Sequence, residues 1–282
     1  MLQLTCPVRR CGLPLTRQEH ALVCPRDHSF DVARSGYYNL TQPQDRRSAH
    51  AGDSKAAVAA RRRSLDRGAG DTLRDALVRE IATLGLGAGD PMLDAGCGDG
   101  FFTASVASAL GLDACGVDIS IPAVDAAARR YPAHAWIVAN ADRRMPFASR
   151  AFRLVMSITA AKHPAEFHRV LVPDGALLLV VPAPDDQAEL REAVLGSVVE
   201  TRRVDRAREA FSAYFRVESQ WSCRARLRFE PAALADLFAG AYRGLRASQR
   251  AALESLPSMD VTLSHDALLL RPLDAPVAQD AG

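Results

Sequence analysis

Residues 93–100 read LDAGCGDG, and the segments on either side of this octapeptide decide what it is. Met92, Leu93 and Ala95 form a short apolar run, Gly96, Gly98 and Gly100 follow at alternate positions, and residues 101–110 have the composition of a buried helix. The pattern predicts a strand, a glycine turn and a helix. Glycines at such a turn let the backbone approach a ligand closely and leave the amides of the helix's first turn aimed at it. Asp94 stands two residues ahead of the first turn glycine. The next apolar run, ACGVDIS, carries Asp118, 24 residues beyond Asp94.

An acid at the tip of the second strand can accept hydrogen bonds from both ribose hydroxyls of an adenosine ligand. Dinucleotides and S-adenosylmethionine both present that group, and the competing reading is a bare βα turn with Asp118 capping a helix. LDAGCGDG resembles motif I of class I methyltransferases more than a dinucleotide fingerprint, whose first strand usually carries no acid at the position of Asp94. WIVANADRRMPF (136–147) looks like that fold's third strand followed by the acid, Asp142, that would contact adenine. FRLVMSITAAKHPAEFHRVLVPDGALLLVVP (152–182) looks like its fourth strand, a helix, a Pro-Asp-Gly turn and its fifth strand. The resemblance implies an α/β, Rossmann-like class I methyltransferase domain over residues 71–272. S-adenosylmethionine would be bound through Asp94, Gly96, Gly98, Gly100, Asp118 and Asp142.

The flanks fit that frame. Residues 71–84 (DTLRDALVREIATL) read as a helix ahead of the first strand, and residues 185–215 as helical with mixed charge. VESQWSCRARLRFEPAALADLFAG (217–240) reads as a strand, a turn at Pro231 and a helix, and DVTLSHDALLLRP (260–272) as a closing strand. Trp221 and Phe229 are expected in the core. The tail, 273–282, has no apolar pattern and is expected to be disordered.

The N-terminal stretch needs a different explanation. CPVRRCGLPLTRQEHALVCPRDHSFD (6–31) packs three cysteines and two histidines among few large apolar residues. Cys6, Cys11, Cys24 and His28 are spaced C-x4-C-x12-C-x3-H, two close pairs separated by a loop. Each pair can sit on a tight turn, and three thiolates with one imidazole fill all four positions of a tetrahedral Zn2+ site, leaving none open for water. A closed site of this kind is structural and substitutes for a core that such a short segment could not build. His20 is the rival fourth ligand; His28 is preferred because Cys-x3-His can close a turn.

Composition bounds the rest. The 282 residues are 48% apolar and 24% charged, so a globular chain with one large core and a small accessory module is expected, and a disordered or collagen-like chain is excluded. No run approaches a membrane span, the first residues lack the apolar core of a signal peptide, and a cytoplasmic protein is expected. Six cysteines at these positions point to metal ligation in a reducing compartment rather than to disulfides. The net charge of +2 is unevenly distributed: residues 1–80 carry 13 Arg and one Lys against nine acids, a net +5, leaving −3 on the remainder. Residues 45–67 alone hold seven basic residues against three Asp, which suits a phosphate-rich partner or, equally, a solvated helix face.

A Cys-Cys-Cys-His module directly ahead of a class I methyltransferase domain resembles the 23S rRNA guanine-N1 methyltransferase family, the RlmA and TlrB type. HSFDVARSGYYNL (28–40) matches that family's F-D-x-A-x-x-G-Y-x-N-L pattern, and GDSKAAVAARRRSLDRG (52–68) its G-D-S and A-R-R segment. The resemblance implies a zinc-binding RNA-recognition module at 1–40, a basic linker at 41–70 with a hinge near 41–55, and an rRNA hairpin as partner. A homodimer is compatible with it. Tyr37, Arg46, Arg47, Arg61, Arg62 and Arg63 would contact the RNA, although Tyr37 in a Gly-Tyr-Tyr turn is more often a packing residue.

Methyl transfer to guanine N1 requires loss of the N1 proton and in-line placement, which are matters of orientation and of a proton acceptor. Thr159, Lys162 and His163, in the loop after the fourth strand, are candidates to act there, with His163 equally able to begin a helix. This loop reads SITAAKHP where the family commonly carries a proline after an aromatic, so its substrate-facing wall differs. A small-molecule methyltransferase of the same fold, or an RNA-binding protein that has lost catalysis, are the alternatives; weak, salt-independent RNA binding would mark the first, and RNA binding without transfer the second.

Overall fold

In the computed structural model, described over residues 2–42, 52–160, 163–196, 202–241 and 246–275, two sheets account for the strands. The small one is antiparallel: β1 (Thr16–Gln18), β2 (Ala21–Val23) and β3 (Ser29–Asp31). After it, β4 (Tyr38–Asn39) joins the edge of the large sheet, and α1 (Lys55–Asp66) and α2 (Asp71–Ala82) lead into the repeating part. That part runs β5 (Pro91–Ala95), α3 (Phe101–Leu110), β6 (Asp113–Asp118), α4 (Ile121–Arg130), β7 (Ala135–Val138), β8 (Phe152–Ile158), α5 (Pro164–Val170) and β9 (Leu171–Pro182). It closes with α6 (Ala188–Leu195), α7 (Arg203–Phe211), β10 (Phe215–Phe229), α8 (Pro231–Ala241), α9 (Ala247–Glu254) and β11 (Met259–Pro272).

The large sheet has the order β10-β11-β9-β8-β5-β6-β7-β4, parallel except where β11 pairs antiparallel with β9 and β10. The chain moves outward from β5 through β6 to β7 and then returns to β8 on the other side of β5. Loops after β5 and β8 therefore diverge and leave a crevice at the carboxyl ends of the strands, where open α/β sheets bind ligands. The central strands are buried on both faces, with Met92, Leu93, Leu154 and Val155 fully enclosed, as parallel strands covered by helices must be. Edge strand β10 instead alternates, burying Trp221 and Cys223 in part against the core while Arg224, Arg226 and Arg228 point outward and protect the edge from pairing.

The small sheet does not stand apart. Leu4, Leu22 and Phe30 share one apolar cluster with Leu40, Ile137 and Phe147 of the large domain, and the Thr5 amide donates to the Pro146 carbonyl at 2.8 Å. Residues 55–66, within the span expected as a basic linker, form a regular helix. Ser54 caps it by accepting from the Ala57 amide at 3.2 Å, and Val58, Ala60 and Ser64 form its buried face. The span 185–215, read as helical with mixed charge, contains α6 and α7 among its described residues. The Pro-Asp-Gly turn is absorbed into β9, where Pro173 and Asp174 lie exposed within the strand. Leu273, expected in the tail, donates its amide to Tyr214 O at 2.9 Å; residues 276–282 lie outside the described residues. No described helix is long and apolar enough to cross a membrane.

Candidate functional site

At the small sheet, two turns face each other. The Cys11 amide closes on Val8 O at 2.9 Å, and the Asp27 amide on Cys24 O at 2.9 Å, so each turn presents two ligand atoms inward. The Sγ atoms of Cys6, Cys11 and Cys24 and a ring nitrogen of His28 all lie within 4.8 Å of one another. Cys6 Sγ and Cys24 Sγ each stand 3.4 Å from His28 Nδ1, and Cys11 Sγ stands 3.8 Å from Cys24 Sγ. Metal–sulfur bonds of about 2.3 Å and metal–nitrogen bonds of about 2.0–2.1 Å separate tetrahedral ligands by roughly 3.5–3.8 Å, so the four atoms fit one Zn2+. The Arg26 amide approaches Cys24 Sγ at 3.4 Å, the outer-shell contact that steadies a thiolate. His20 is exposed and outside the cluster.

The second site is the crevice at the switch point, walled by Asp53, Arg61, Asp94, Gly96, Gly98, Phe102, Asp118 and Thr159 among others. Its floor is the glycine turn. Gly100 has φ +78°, and a Cβ there would stand 2.4 Å from the Trp136 ring, so no other residue fits between the turn and β7. Asp118 is tied down by the Gly98 amide at 3.0 Å and the Ser120 amide at 2.8 Å, and burial raises its carboxyl above the ordinary range. Asp94 is fully enclosed. One of its oxygens accepts from the Thr103 hydroxyl at 2.5 Å, the other, Oδ1, is buried with no partner, and burial pushes its pKa to about 7.

This donor set suits S-adenosylmethionine. Four aspartates, Asp53, Asp94, Asp99 and Asp118, line a crevice whose one lining cation among the described residues is Arg61, a balance that attracts a cationic sulfonium and ammonium and repels a diphosphate. The unpartnered Asp94 Oδ1 and the Asp118 carboxylate are acceptors for the hydroxyl and ammonium groups of such a ligand. Asp142, by contrast, is exposed in the loop after β7 and lies outside this lining; its amide donates to Asn140 Oδ1 at 3.0 Å.

The expected RNA-contacting arginines occupy three different settings. Arg61 pairs with Asp53 at 2.5 Å and donates to Gly240 O at 2.6 Å. Arg62 reaches Asp99 Oδ2 at 2.7 Å, the Asp99 carbonyl at 3.0 Å and the Tyr131 hydroxyl at 3.1 Å, bracing the glycine turn from outside. Arg63 grips Asp236 of α8 with two nitrogens, the closer at 2.5 Å, and Arg67 adds a third contact at 2.6 Å. The run is thus committed to carboxylates that the sequence places 8, 37 and 173 residues away. Tyr37 packs on the cluster of Val124, Ala127 and Trp136 beside α4. Arg46, Arg47 and Lys162 lie outside the described residues. His163 is the N-cap of α5, its Nδ1 accepting from the Glu166 amide at 3.4 Å, which is a helix-starting role.

Thr159 is different. It follows β8 directly with φ +53°, a left-handed conformation that a β-branched residue adopts only when its surroundings impose it. It borders both the crevice and an adjoining cavity of ≈ 340 Å³ that Phe102, Asp186, Gln187 and His265 also line. Asp186 and Gln187 carried no sequence signal, and Asp53 only its place in the G-D-S segment; each comes to the site through folding, Asp53 because the Ser120 hydroxyl donates to its carbonyl at 2.7 Å and a glycine precedes it at the contact.

Comparison with known proteins agrees with both halves. A methyltransferase-domain family model matches residues 92–175, and an RlmA N-terminal zinc-ribbon model matches residues 4–49. The "23S rRNA (guanine(748)-N(1))-methyltransferase" of Streptomyces fradiae is 35% identical over 239 residues, covering 84% of this chain and 83% of its own length. The "Putative 23S rRNA (guanine-N(1)-)-methyltransferase" of Micromonospora griseorubida is 34% identical over 246 residues, covering 80% and 81%. The "Putative 23S rRNA (guanine-N(1)-)-methyltransferase YxjB" of Bacillus subtilis is 32% identical over 197 residues, covering 66% and 67%. Identity at this level over about four-fifths of the chain, with the ribbon and methyltransferase models matched at residues 4–49 and 92–175, places the chain in the 23S rRNA (guanine-N1)-methyltransferase family.

Proposed function

We propose that this protein methylates N1 of a guanine in large-subunit rRNA, with a hairpin as the recognised element. The observation that carries the reading is the likeness to named rRNA guanine-N1 methyltransferases over about four-fifths of the chain. S-adenosylmethionine supplies a methyl carbon on a good leaving group, so little beyond binding, orientation and proton removal is asked of the protein. Asp94 and Asp118 hold the cofactor's polar groups, Asp53 adds negative charge at the mouth, and the glycine turn sets how closely the backbone approaches. Zn2+ held by Cys6, Cys11, Cys24 and His28 stabilises the ribbon and takes no part in the transfer. The site of action is the cytoplasm, where rRNA is found; a homodimer belongs to the same reading, and light scattering separates one mass from two.

RNA contact is assigned to a face other than α1. Arg9, Arg10 and Arg144 are exposed around the cleft between the ribbon and the end of β7, and none of the three makes an ion pair with a described residue. Unlike Arg61 to Arg63, they are available to phosphates. The deciding experiment is nucleoside mass spectrometry on unmodified bacterial rRNA incubated with the protein and isotope-labelled S-adenosylmethionine. Labelled 1-methylguanosine is expected. A different labelled nucleoside would reject the base, and no label despite cofactor binding would reject the activity.

A further inference from the structure

The cavity beside the cofactor crevice contains polar groups that the fold itself does not use. Gln187 is only 9% exposed, has φ +52° and leaves Oε1 buried with no hydrogen-bond partner. Asp186 Oδ1 accepts the Ser264 amide at 3.0 Å, while Oδ2 has only a long 3.5 Å contact from Gln187 Nε2 among the described residues. The turn carrying both is pinned to β11 by the Gln187 amide, which donates to Thr262 O at 2.7 Å, and by the Ser264 hydroxyl, which donates to Asp185 at 2.6 Å. Thr159, also in a left-handed conformation, forms the wall shared with the crevice. Strained residues and an unpaired buried acceptor, held in place by the surrounding hydrogen bonds, are the pattern of a site completed by a ligand.

Two acceptors next to each other, Asp186 Oδ2 and Gln187 Oε1, complement two adjacent donors. Guanine offers such a pair on its Watson–Crick edge, N1–H beside the N2 amine. Resting on the rRNA guanine-N1 reading, we propose that this cavity receives the target guanine, that the Asp186 carboxylate takes the N1 proton, and that Gln187 Oε1 accepts from the N2 amine. The N1–H bond breaks with its electron pair left on N1, and the proton passes to an Asp186 oxygen. N1 bonds to the methyl carbon as the carbon–sulfur pair leaves with sulfur, which loses its positive charge, and Asp186 later returns the proton to water.

The electrostatics agree. Burial raises the Asp186 carboxyl to about 6, against the Ser264 amide and the charges of Arg191 and Arg203, with Asp185 adding to the rise. His265 across the cavity is held neutral because burial lowers it to about 4, and Arg61 at the rim is engaged with Asp53. Asp186 is therefore ionised at neutral pH yet a stronger base than a solvated carboxylate, as proton abstraction requires.

Asp186→Asn keeps the shape and the Ser264 contact while removing the base. With a large-subunit rRNA transcript in single turnover, the transfer rate at pH 7 is expected to fall by about 10²–10⁴-fold. The wild-type rate should level off above about pH 6, following the Asp186 titration, whereas the variant's should go on rising through the alkaline range. S-adenosylhomocysteine affinity by calorimetry and RNA affinity by filter binding should stay within about threefold, as for a group acting on the proton alone. Gln187→Leu should lose about tenfold or more in rate with no drop in melting temperature, since it removes an unpaired buried oxygen. Asp186→Asn with a wild-type rate or an unchanged pH profile would overturn the assignment. So would a loss that runs in parallel with cofactor affinity and melting temperature in both variants, the mark of a structural role. Absence of 1-methylguanosine from wild-type reactions would instead strike the substrate reading, and this assignment with it.

Discussion

Asp94 shows how much a single residue's environment governs. Its carboxyl lies inside the sheet beneath the glycine turn with one oxygen unpartnered, and its pKa is near 7 in the folded protein against 3.8 for the unfolded chain. Between those values the folded state holds the proton and the unfolded state does not, so stability is fullest below about pH 4 and declines as pH rises to about 7. Asp94→Asn should therefore raise the melting temperature of the cofactor-free protein at pH 8. A gain of about 1 kcal/mol, worth about 2–4 °C in a domain of this size, is expected there, with little gain at pH 4. Calorimetry should at the same time show weaker S-adenosylmethionine binding. Equal melting shifts at both pH values would mean that the carboxyl is not the source. Asp94, Asp118 and the glycines were legible because strand, turn and helix follow one another within a few residues. The crevice position of Asp53, and any role for Asp186 and Gln187, were not, because their places depend on contacts with Ser120, Thr262 and Ser264, each 67 or more residues distant.

At the scale of elements, α1 is where charge was readable and its use was not. AARRRSLDR reads as a basic face, yet the helix lies against α8 at a point where Gly240 admits the Arg61 backbone; a Cβ on Gly240 would come within 3.2 Å of Arg61 Cα. That approach brings Arg63 and Arg67 onto Asp236, which is 8% exposed and whose carboxyl the Arg63 hydrogen bonds hold below the ordinary range. Both arginines are about half exposed, so each pair is worth less than a buried one, and removal of the shared acid also leaves two cations facing each other. Asp236→Ala should cost about 1 kcal/mol in urea unfolding at pH 7, and the difference from wild type should shrink below about pH 4 as the native carboxylate is protonated. An unchanged urea midpoint would reduce α1–α8 docking to its apolar contacts. The central strands of the sheet were legible because long apolar runs such as ALLLVV leave no other solution for a parallel core, whereas edge strand β4, read as part of the zinc-binding module, was not. Nor was the end of α6, since Gly196 stops it with φ +73° and nothing in the mixed charge pattern marks that point.

For the whole molecule, the joining of ribbon and catalytic domain brings together the exposed arginines to which the proposed function assigns RNA contact. The ribbon contributes Leu4, Leu22 and Phe30 to the same core as Phe147, and its first turn carries Arg9 and Arg10 to within one cleft of Arg144, the residue after Arg143 in the loop following β7. Charge counted along the sequence could locate the basic excess in residues 1–80 but could not separate arginines consumed by internal carboxylates from those left for a partner. Folding makes that separation. Replacing Arg9, Arg10 and Arg144 together with Ala should weaken binding to an rRNA hairpin and lower the slope of log affinity against log salt by about 2–3, since each phosphate contact contributes about 0.7–0.9. Replacing Arg61, Arg62 and Arg63 should act otherwise, lowering the melting temperature and cofactor affinity through Asp53, Asp99 and Asp236 while leaving the salt slope within about one of the wild-type value. If the α1 triple variant flattens the slope and the cleft variant does not, the helix gives up its internal carboxylates for phosphates when RNA arrives, and the RNA path runs over α1 toward the crevice instead of through the cleft beneath the ribbon.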